Sequence, residues 1–221
     1  MEIRDSRRWP GPSLLLSQPG AVIDATLDAQ VDATDLIQAW RAALLRLLNL
    51  VGWSDLEIGT RKFPGGVTVA CAAPIDALYA ATEVNELAFA VAAASLSGSE
   101  LPDEATRVET LKKSIAEERN PKLLALHDAA AAHQVAFLSD DDIASVGLGT
   151  GSRSWPVDGL PAESDVDWGG VHDIPVVMVT GTNGKSTTVR LLAHIAQAAG
   201  RVPGFSSTDW IRVGDETLDT G

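Results

Sequence analysis

The feature that most constrains this chain is the run Val176-Val177-Met178-Val179-Thr180-Gly181-Thr182-Asn183-Gly184-Lys185-Ser186-Thr187-Thr188. A β-branched stretch stops at a glycine-rich turn, and a lysine, hydroxyls and an apolar-periodic segment follow. That is the order of parts in a phosphate-binding loop. Successive backbone N–H groups in such a loop replace the water around phosphate oxygens, and the helix N-terminus adds partial positive charge. Gly181 and Gly184 permit the turn and the close approach of a ligand. Lys185 offers a point charge to the β- and γ-phosphates. Ser186 offers a hydroxyl to Mg²⁺, a hard cation that takes oxygen ligands. Thr187 supplies a further hydroxyl. Val179 stands where the broad pattern G-x-x-x-x-G-K-[ST] has its first glycine. The lysine and hydroxyl, with an expected strand before them and a helix after, favour a phosphate loop over a chance glycine turn.

Composition narrows the rest. The 221 residues allow one or two domains, and 45% hydrophobic with 21% charged residues is ordinary for a globular chain. A net charge of −13, from 17 Lys and Arg against 30 Asp and Glu, argues against a nucleic-acid partner. It leaves room for an anionic small ligand in a local pocket. The single cysteine, Cys71, lies in an apolar run. It reads as a buried small hydrophobe, with a reactive thiol the alternative. Without disulfides or metal-type Cys/His spacing, the expected compartment is the cytoplasm. Residues 1–20 do not read as a secretory signal, because Pro10, Pro12 and Pro19 interrupt the short apolar patch. The most apolar long segment, 77–97, carries Glu83, Asn85 and Glu86 and reads as a buried helix, not a membrane span.

Taken in order, residues 1–20 are expected to be irregular and 21–27 to form a first strand. Asp32 or Thr34 caps a helix running to about Val51, with Leu36, Ile37, Trp40, Leu44, Leu47, Leu48 and Val51 on one face. Residues 67–72 make a strand, and Pro74 and Asp76 open the Ala-rich helix that closes at Gly98. That helix suits either a core or an interface. Pro102-Asp103-Glu104 starts a further helix, and Asn120-Pro121 another that runs to about His133. Residues 135–138 and 143–148 read as two strands around Asp140, Asp141 and Asp142, a turn cluster in preference to a metal site. Residues 151–172, rich in Gly, Pro and acid, read as a linker between a domain at 1–150 and a second one at 173–221. Trp155 and Trp168 suggest that parts of the linker dock on a domain face. Beyond the loop, Leu191, Leu192, Ile195 and Ala199 make a helix face, 202–206 a strand, and 211–218 a hairpin. The order strand, loop, helix, strand predicts the opening of a parallel α/β domain.

The loop Thr180-Gly181-Thr182-Asn183-Gly184-Lys185-Ser186-Thr187 resembles the ATP-binding loop of the Mur ligase family. The segment 174–221, with Ser206-Ser207-Thr208-Asp209 and Ile211-Arg212-Val213-Gly214-Asp215, is most similar to the Mur-type domain of cyanophycin synthetases. A weaker resemblance covers 135–138 and 146–153, which look like the stretch before the ATP-grasp region of those enzymes. The resemblance implies an α/β chain: an N-terminal α+β domain, then the start of a P-loop parallel α/β domain of the Mur-ligase type. It implies an ATP-dependent amide ligase that activates a carboxylate as an acyl phosphate for attack by an amino-acid amine. Gly181, Thr182, Asn183, Gly184, Lys185, Ser186 and Thr187 would bind ATP, Lys185 would act catalytically, and Ser186 would hold Mg²⁺. Arg153 stands so close to Ile174 that the ATP-grasp region is expected to be absent, which implies one ligase site. The family's further metal ligands and closing domain are not found before Gly221, so the reading ends in mid-domain. Its partners would be ATP, the carboxylate and amino-acid substrates, and either further copies of the chain or a separate downstream ligase portion.

Thr208 and Asp209, just past a predicted strand, read equally as site residues or as ordinary turn residues. A different class of function also fits: a non-catalytic nucleotide-binding or scaffold module in which residues 1–150 mediate assembly. A kinase or general NTPase fits the glycine pattern less well.

Overall fold

The structure, a computed structural model, describes residues 1–220. It divides into two compact units, Met1–Ile174 and Pro175–Gly221. In the first unit the order is β1 (Glu2–Trp9), β2 (Gly20–Thr26), α1 (Ala33–Leu50), β3 (Ile58–Phe63), β4 (Gly66–Ala72), α2 (Leu78–Ser97), α3 (Glu104–Glu118), α4 (Pro121–Ala132), β5 (Phe137–Ser139), β6 (Ile143–Val146) and β7 (Arg153–Pro156). In the second it is α5 (Lys185–Ala198), β8 (Gly204–Ser206), β9 (Trp210–Val213) and β10 (Glu216–Thr220). The chain is therefore a mixed α/β protein, as its sequence pattern predicts.

Strands β1–β4 form one antiparallel sheet in the order β1-β2-β4-β3. Ala21, Ile23 and Ala25 of β2 and Val67, Val69 and Cys71 of β4 face α1 and α2 and are buried with them. On the opposite face Val22 and Ala70 are covered by Leu16 from the segment before β2. The two central strands are thus buried on both sides, so their apolar residues run almost without alternation. Helix α1 begins where the Asp32 side chain accepts the Thr34 N–H at 2.6 Å. Helix α2 is apolar nearly all round because α1, the sheet and α3 surround it, and Gly98 ends it in the left-handed conformation at φ +70°. Within it, Asn85 is wholly buried. Its Oδ1 accepts from Trp40 Nε1 at 2.9 Å, and its Nδ2 donates to the Ala21 carbonyl at 3.4 Å.

Residues 1–20 correct the expectation of an irregular start: β1 occupies most of the first half. Strand β3 was likewise not foreseen. Both are edge strands carrying charge (Glu2, Arg4, Asp5, Arg7 and Arg8 on one, Arg61 and Lys62 on the other). Charge protects a sheet edge from pairing with another chain, and it also erases the apolar alternation by which a strand is recognised.

A second cluster joins Leu123, Leu126 and Ala130 of α4 to Ala144 and Val146 of β6 and to Leu160, Val166 and Val171. The stretch 151–172 is therefore folded, not extended as a free tether. β7 pairs with β6, and the rings of His133 and Trp168 stack 4.4 Å apart. Its glycines and acids belong to short turns whose apolar residues lie far apart in sequence, so no period reveals the packing. Gly147, Gly149 and Gly151 close around the end of this unit: the Leu148 N–H donates to the His172 carbonyl at 3.1 Å, and a Cβ on Gly151 would meet that oxygen at 2.2 Å. Asp140 accepts the N–H groups of Asp142 and Ile143, so it shapes the β5–β6 turn.

In the second unit β8, β9 and β10 form an antiparallel sheet in the order β10-β9-β8. The hairpin expected over 211–218 is formed by β9 and β10, while the parallel pairing expected around the loop is not seen among the described residues. Residues 176–179 pair with no strand among the described residues, and Val176, Val177 and Met178 are exposed. Parallel strands are normally covered on both faces, whereas no described residue of 175–220 is buried. A hairpin needs only a tight turn, here at Gly214 with φ +56°, and it forms from neighbouring residues. Among the described residues no helix is long and apolar enough to cross a membrane.

Two outcomes follow from the first core. Asn85→Ala leaves the Trp40 N–H buried without an acceptor. It should lower stability by about 2 kcal/mol, seen as a lower urea midpoint with an unchanged slope, and pairing it with Trp40→Phe should cost less than the two changes summed. Burial pushes the Cys71 thiol up to about 12. A disulfide reagent at mild alkaline pH should leave the native chain unmodified and label it once urea unfolds it.

Candidate phosphate-binding site

The loop lies wholly within the second unit. Gly181 has φ +144° and Gly184 φ +79°, both in the region that favours glycine, so the two positions named from sequence are those where the backbone turns. Gly184 is also the residue before α5, and the Thr188 N–H donates to its carbonyl at 2.9 Å. The N–H groups of Lys185, Ser186 and Thr187 therefore stand at a helix N-terminus, where an intrahelical acceptor is missing by geometry. A 14-residue helix brings its dipole to the same point.

Lys185 folds back on the loop. Its Nζ donates to the Gly181 carbonyl at 2.7 Å and lies 3.5 Å from the Thr182 carbonyl. The ammonium thus sits over the turn that is expected to hold phosphate. The side chains of Thr182 and Asn183 are exposed. Thr187 is exposed as well, one residue beyond Ser186 on the first turn of α5.

Ser186 and Thr208 come together: their hydroxyl oxygens are 3.3 Å apart across 22 residues of sequence. Octahedral Mg²⁺ holds its ligands at about 2.1 Å, which separates adjacent oxygens by roughly 3 Å. The two hydroxyls are therefore spaced as neighbouring ligands of such an ion would be. One turn further along α5, Arg190 Nη2 donates to Asp209 Oδ2 at 2.5 Å, and its guanidinium lies 4.3 Å from the centre of the Trp210 ring. Ser186 and Arg190 are four residues apart and share a helix face, so together they hold the consecutive residues Thr208 and Asp209. Arg190 was not singled out from sequence. Its spacing from Ser186 was the available signal, but nothing in the sequence tells which residues lie opposite.

No family model matches the chain. It is 56% identical over 48 residues to a cyanophycin synthetase of Geminocystis herdmanii (strain PCC 6308), which is 22% of this chain and 6% of that protein. It is 52% identical over 48 residues to a cyanophycin synthetase of Trichormus variabilis (strain ATCC 29413 / PCC 7937). A UDP-N-acetylmuramoylalanine–D-glutamate ligase of Synechococcus sp. (strain CC9605) is 47% identical over 38 residues, 17% of this chain and 8% of that protein. The matched stretches thus span less than a tenth of these relatives' own lengths. Over about a fifth of its length, this chain is similar to cyanophycin synthetases and to a Mur ligase, a short resemblance of the Mur-like kind.

Proposed function

We propose that the chain serves as the nucleotide-holding part of an ATP-dependent amide ligase of the Mur type. The observation that carries this reading is the turn from Gly181 to Gly184, which sets Lys185 over the loop at the start of α5 with Ser186 beside Thr208. Gly181, Thr182, Asn183, Gly184, Lys185, Ser186 and Thr187 bind ATP, chiefly through backbone N–H groups on its phosphates. Ser186 would hold Mg²⁺, with the Thr208 hydroxyl 3.3 Å away able to serve as a second oxygen donor. Bound Mg²⁺ supplies positive charge against the phosphate oxygens. Lys185 leaves the Gly181 carbonyl and donates instead to the γ-phosphate oxygens, where its charge stabilises the transfer. A substrate carboxylate oxygen attacks the γ-phosphorus, and the bond to the bridging oxygen breaks, leaving ADP. An amino-acid amine then attacks the acyl carbon, phosphate leaves, and the amine nitrogen gives up a proton.

The reading extends to the rest of the chain. Residues 1–150 form a divergent N-terminal domain against which 151–172 packs, and 173–221 form the Mur-type segment, with the protein in the cytoplasm. The 48-residue likeness to a cyanophycin synthetase supports the Mur-type segment of this reading. One observation favours a second reading, a module that binds nucleotide without turning it over. The exposed loop, with its two glycines and the start of α5, can hold phosphate through backbone N–H groups without any further catalytic group.

Calorimetric titration of the chain with MgATP tests the binding claim. Lys185→Ala should weaken binding by about tenfold or more, the loss of a charge-assisted contact. Equal affinity in both proteins, or none in either, sinks the assignment. Ser186→Ala should weaken MgATP binding more than that of metal-free ATP. Phosphate release with candidate amino acids separates the ligase from the binding module.

A further inference from the structure

The first unit holds a cleft of about 810 Å³ that the nucleotide reading does not use. It opens among the end of β1, the 3-10 turn Ile75–Ala77, the first turn of α2 and the β5–β6 turn. Ile75, Leu78, Leu123 and Val157 give it an apolar wall. Most polar groups at its rim satisfy one another. Arg8 and the Tyr79 hydroxyl both donate to Asp141, at 2.6 and 2.7 Å, and the Arg8 guanidinium stacks 3.6 Å over the Tyr79 ring. Glu118 accepts the N–H groups of Tyr79 and Ala80 and so caps α2.

Two groups are left over. Asp76 lines the cleft, yet its side chain is 0% exposed. Its Oδ2 accepts from Arg119 Nε at 2.8 Å and from the Asn120 N–H at 3.1 Å, while its Oδ1 has no partner. Ser6, on the same cleft, has a buried hydroxyl that also lacks one. A buried acceptor without a donor is destabilising, and more so when it is charged. Both atoms call for a donor.

The surroundings select which. Four carboxylates border the cleft (Asp76, Glu118, Asp140 and Asp141), in a chain of net charge −13. Three arginines pair with acids here, Arg7 with Asp5 and Asp24, Arg8 with Asp141 and Arg119 with Asp76, so Glu118 and Asp140, which accept only backbone N–H groups, leave the cleft with an excess of negative charge. An anion is disfavoured and a cation drawn in. A guanidinium needs both oxygens of a carboxylate for its paired contact, and Oδ2 of Asp76 is taken. An ammonium, with three donors around one centre, suits a single oxygen and a hydroxyl.

We propose that this cleft binds a small primary amine in its ammonium form, the charge on Asp76 Oδ1 with Ser6 Oγ as second acceptor, and a short apolar chain along the wall. Both oxygens lie under the cleft surface, so binding shifts the wall enough to admit one ammonium group. Once buried, that contact is stronger than it would be in water. The site stands apart from the nucleotide reading and holds whether or not that reading does.

Calorimetric titration of the full chain with n-butylammonium chloride, and in parallel with n-butanol, tests the proposal. The amine should bind saturably and the alcohol should not. Asp76→Asn should weaken amine binding by about tenfold or more. Ser6→Ala, which removes a hydroxyl that already lacks a partner, should weaken it by about threefold while the chain stays folded. Lys185→Ala should bind the amine as the parent does. Absence of saturable amine binding, equal binding of the alcohol, unchanged affinity in Ser6→Ala, or a loss in Lys185→Ala would each overturn it, leaving a buried water as the donor. Where Asp76→Asn does not fold, the Ser6→Ala titration decides.

Discussion

The hydrogen bond from Trp40 to Asn85 is the constraint on which the first unit turns. It lies where α1, α2 and the sheet meet, with both residues wholly buried. A buried amide and a buried indole are tolerable only if each finds the other, which admits one rotation of α2 against α1. Asn85 also reaches the Ala21 carbonyl, so the same residue sets the helix pair against β2. Apolar packing alone would allow Ala-rich α2 to slide, because its surface is nearly uniform. One polar pair removes that freedom.

The second unit is organised on a different principle. Its defining features are local: two glycines in left-handed conformations, a helix that starts at Lys185, and a hairpin turned at Gly214. None of these needs a core, and no described residue there is buried. The contacts that do cross the unit are polar. Ser186 meets Thr208, and Arg190 meets Asp209 and Trp210. Exposed ion pairs of this kind contribute little stability; what they provide here is position, bringing the residues after β8 to the mouth of the loop.

Much of this was legible in advance, unevenly and for physical reasons. The starts of α1, α3 and α4 and the end of α2 were foreseen, because caps such as Asp32, Asp103 and Asn120 and a stop such as Gly98 act within a few residues of themselves. The central strands β2 and β4 were visible as apolar runs. The edge strands β1 and β3 were not, since an edge is solvated and its sequence is written for water. Residues 151–172 looked like a tether because glycine, proline and acid dominate them. Leu160, Val166 and Val171 nevertheless close a core with α4 and β6.

What the sequence determined by itself is the chemistry of the loop: glycines where the backbone must turn, then lysine, then a hydroxyl, then a helix. That order needs no distant partner, because backbone conformation and helix polarity follow from neighbouring residues. The tertiary structure alone decided which strand stands at an edge, that Leu160, Val166 and Val171 close a core with α4, and that Thr208 rests 3.3 Å from Ser186. It also decided that Asp76 keeps one oxygen without a donor. Each of these depends on contacts between residues far apart in the chain. Such contacts form only where burial and hydrogen bonding outweigh the entropy of bringing the segments together.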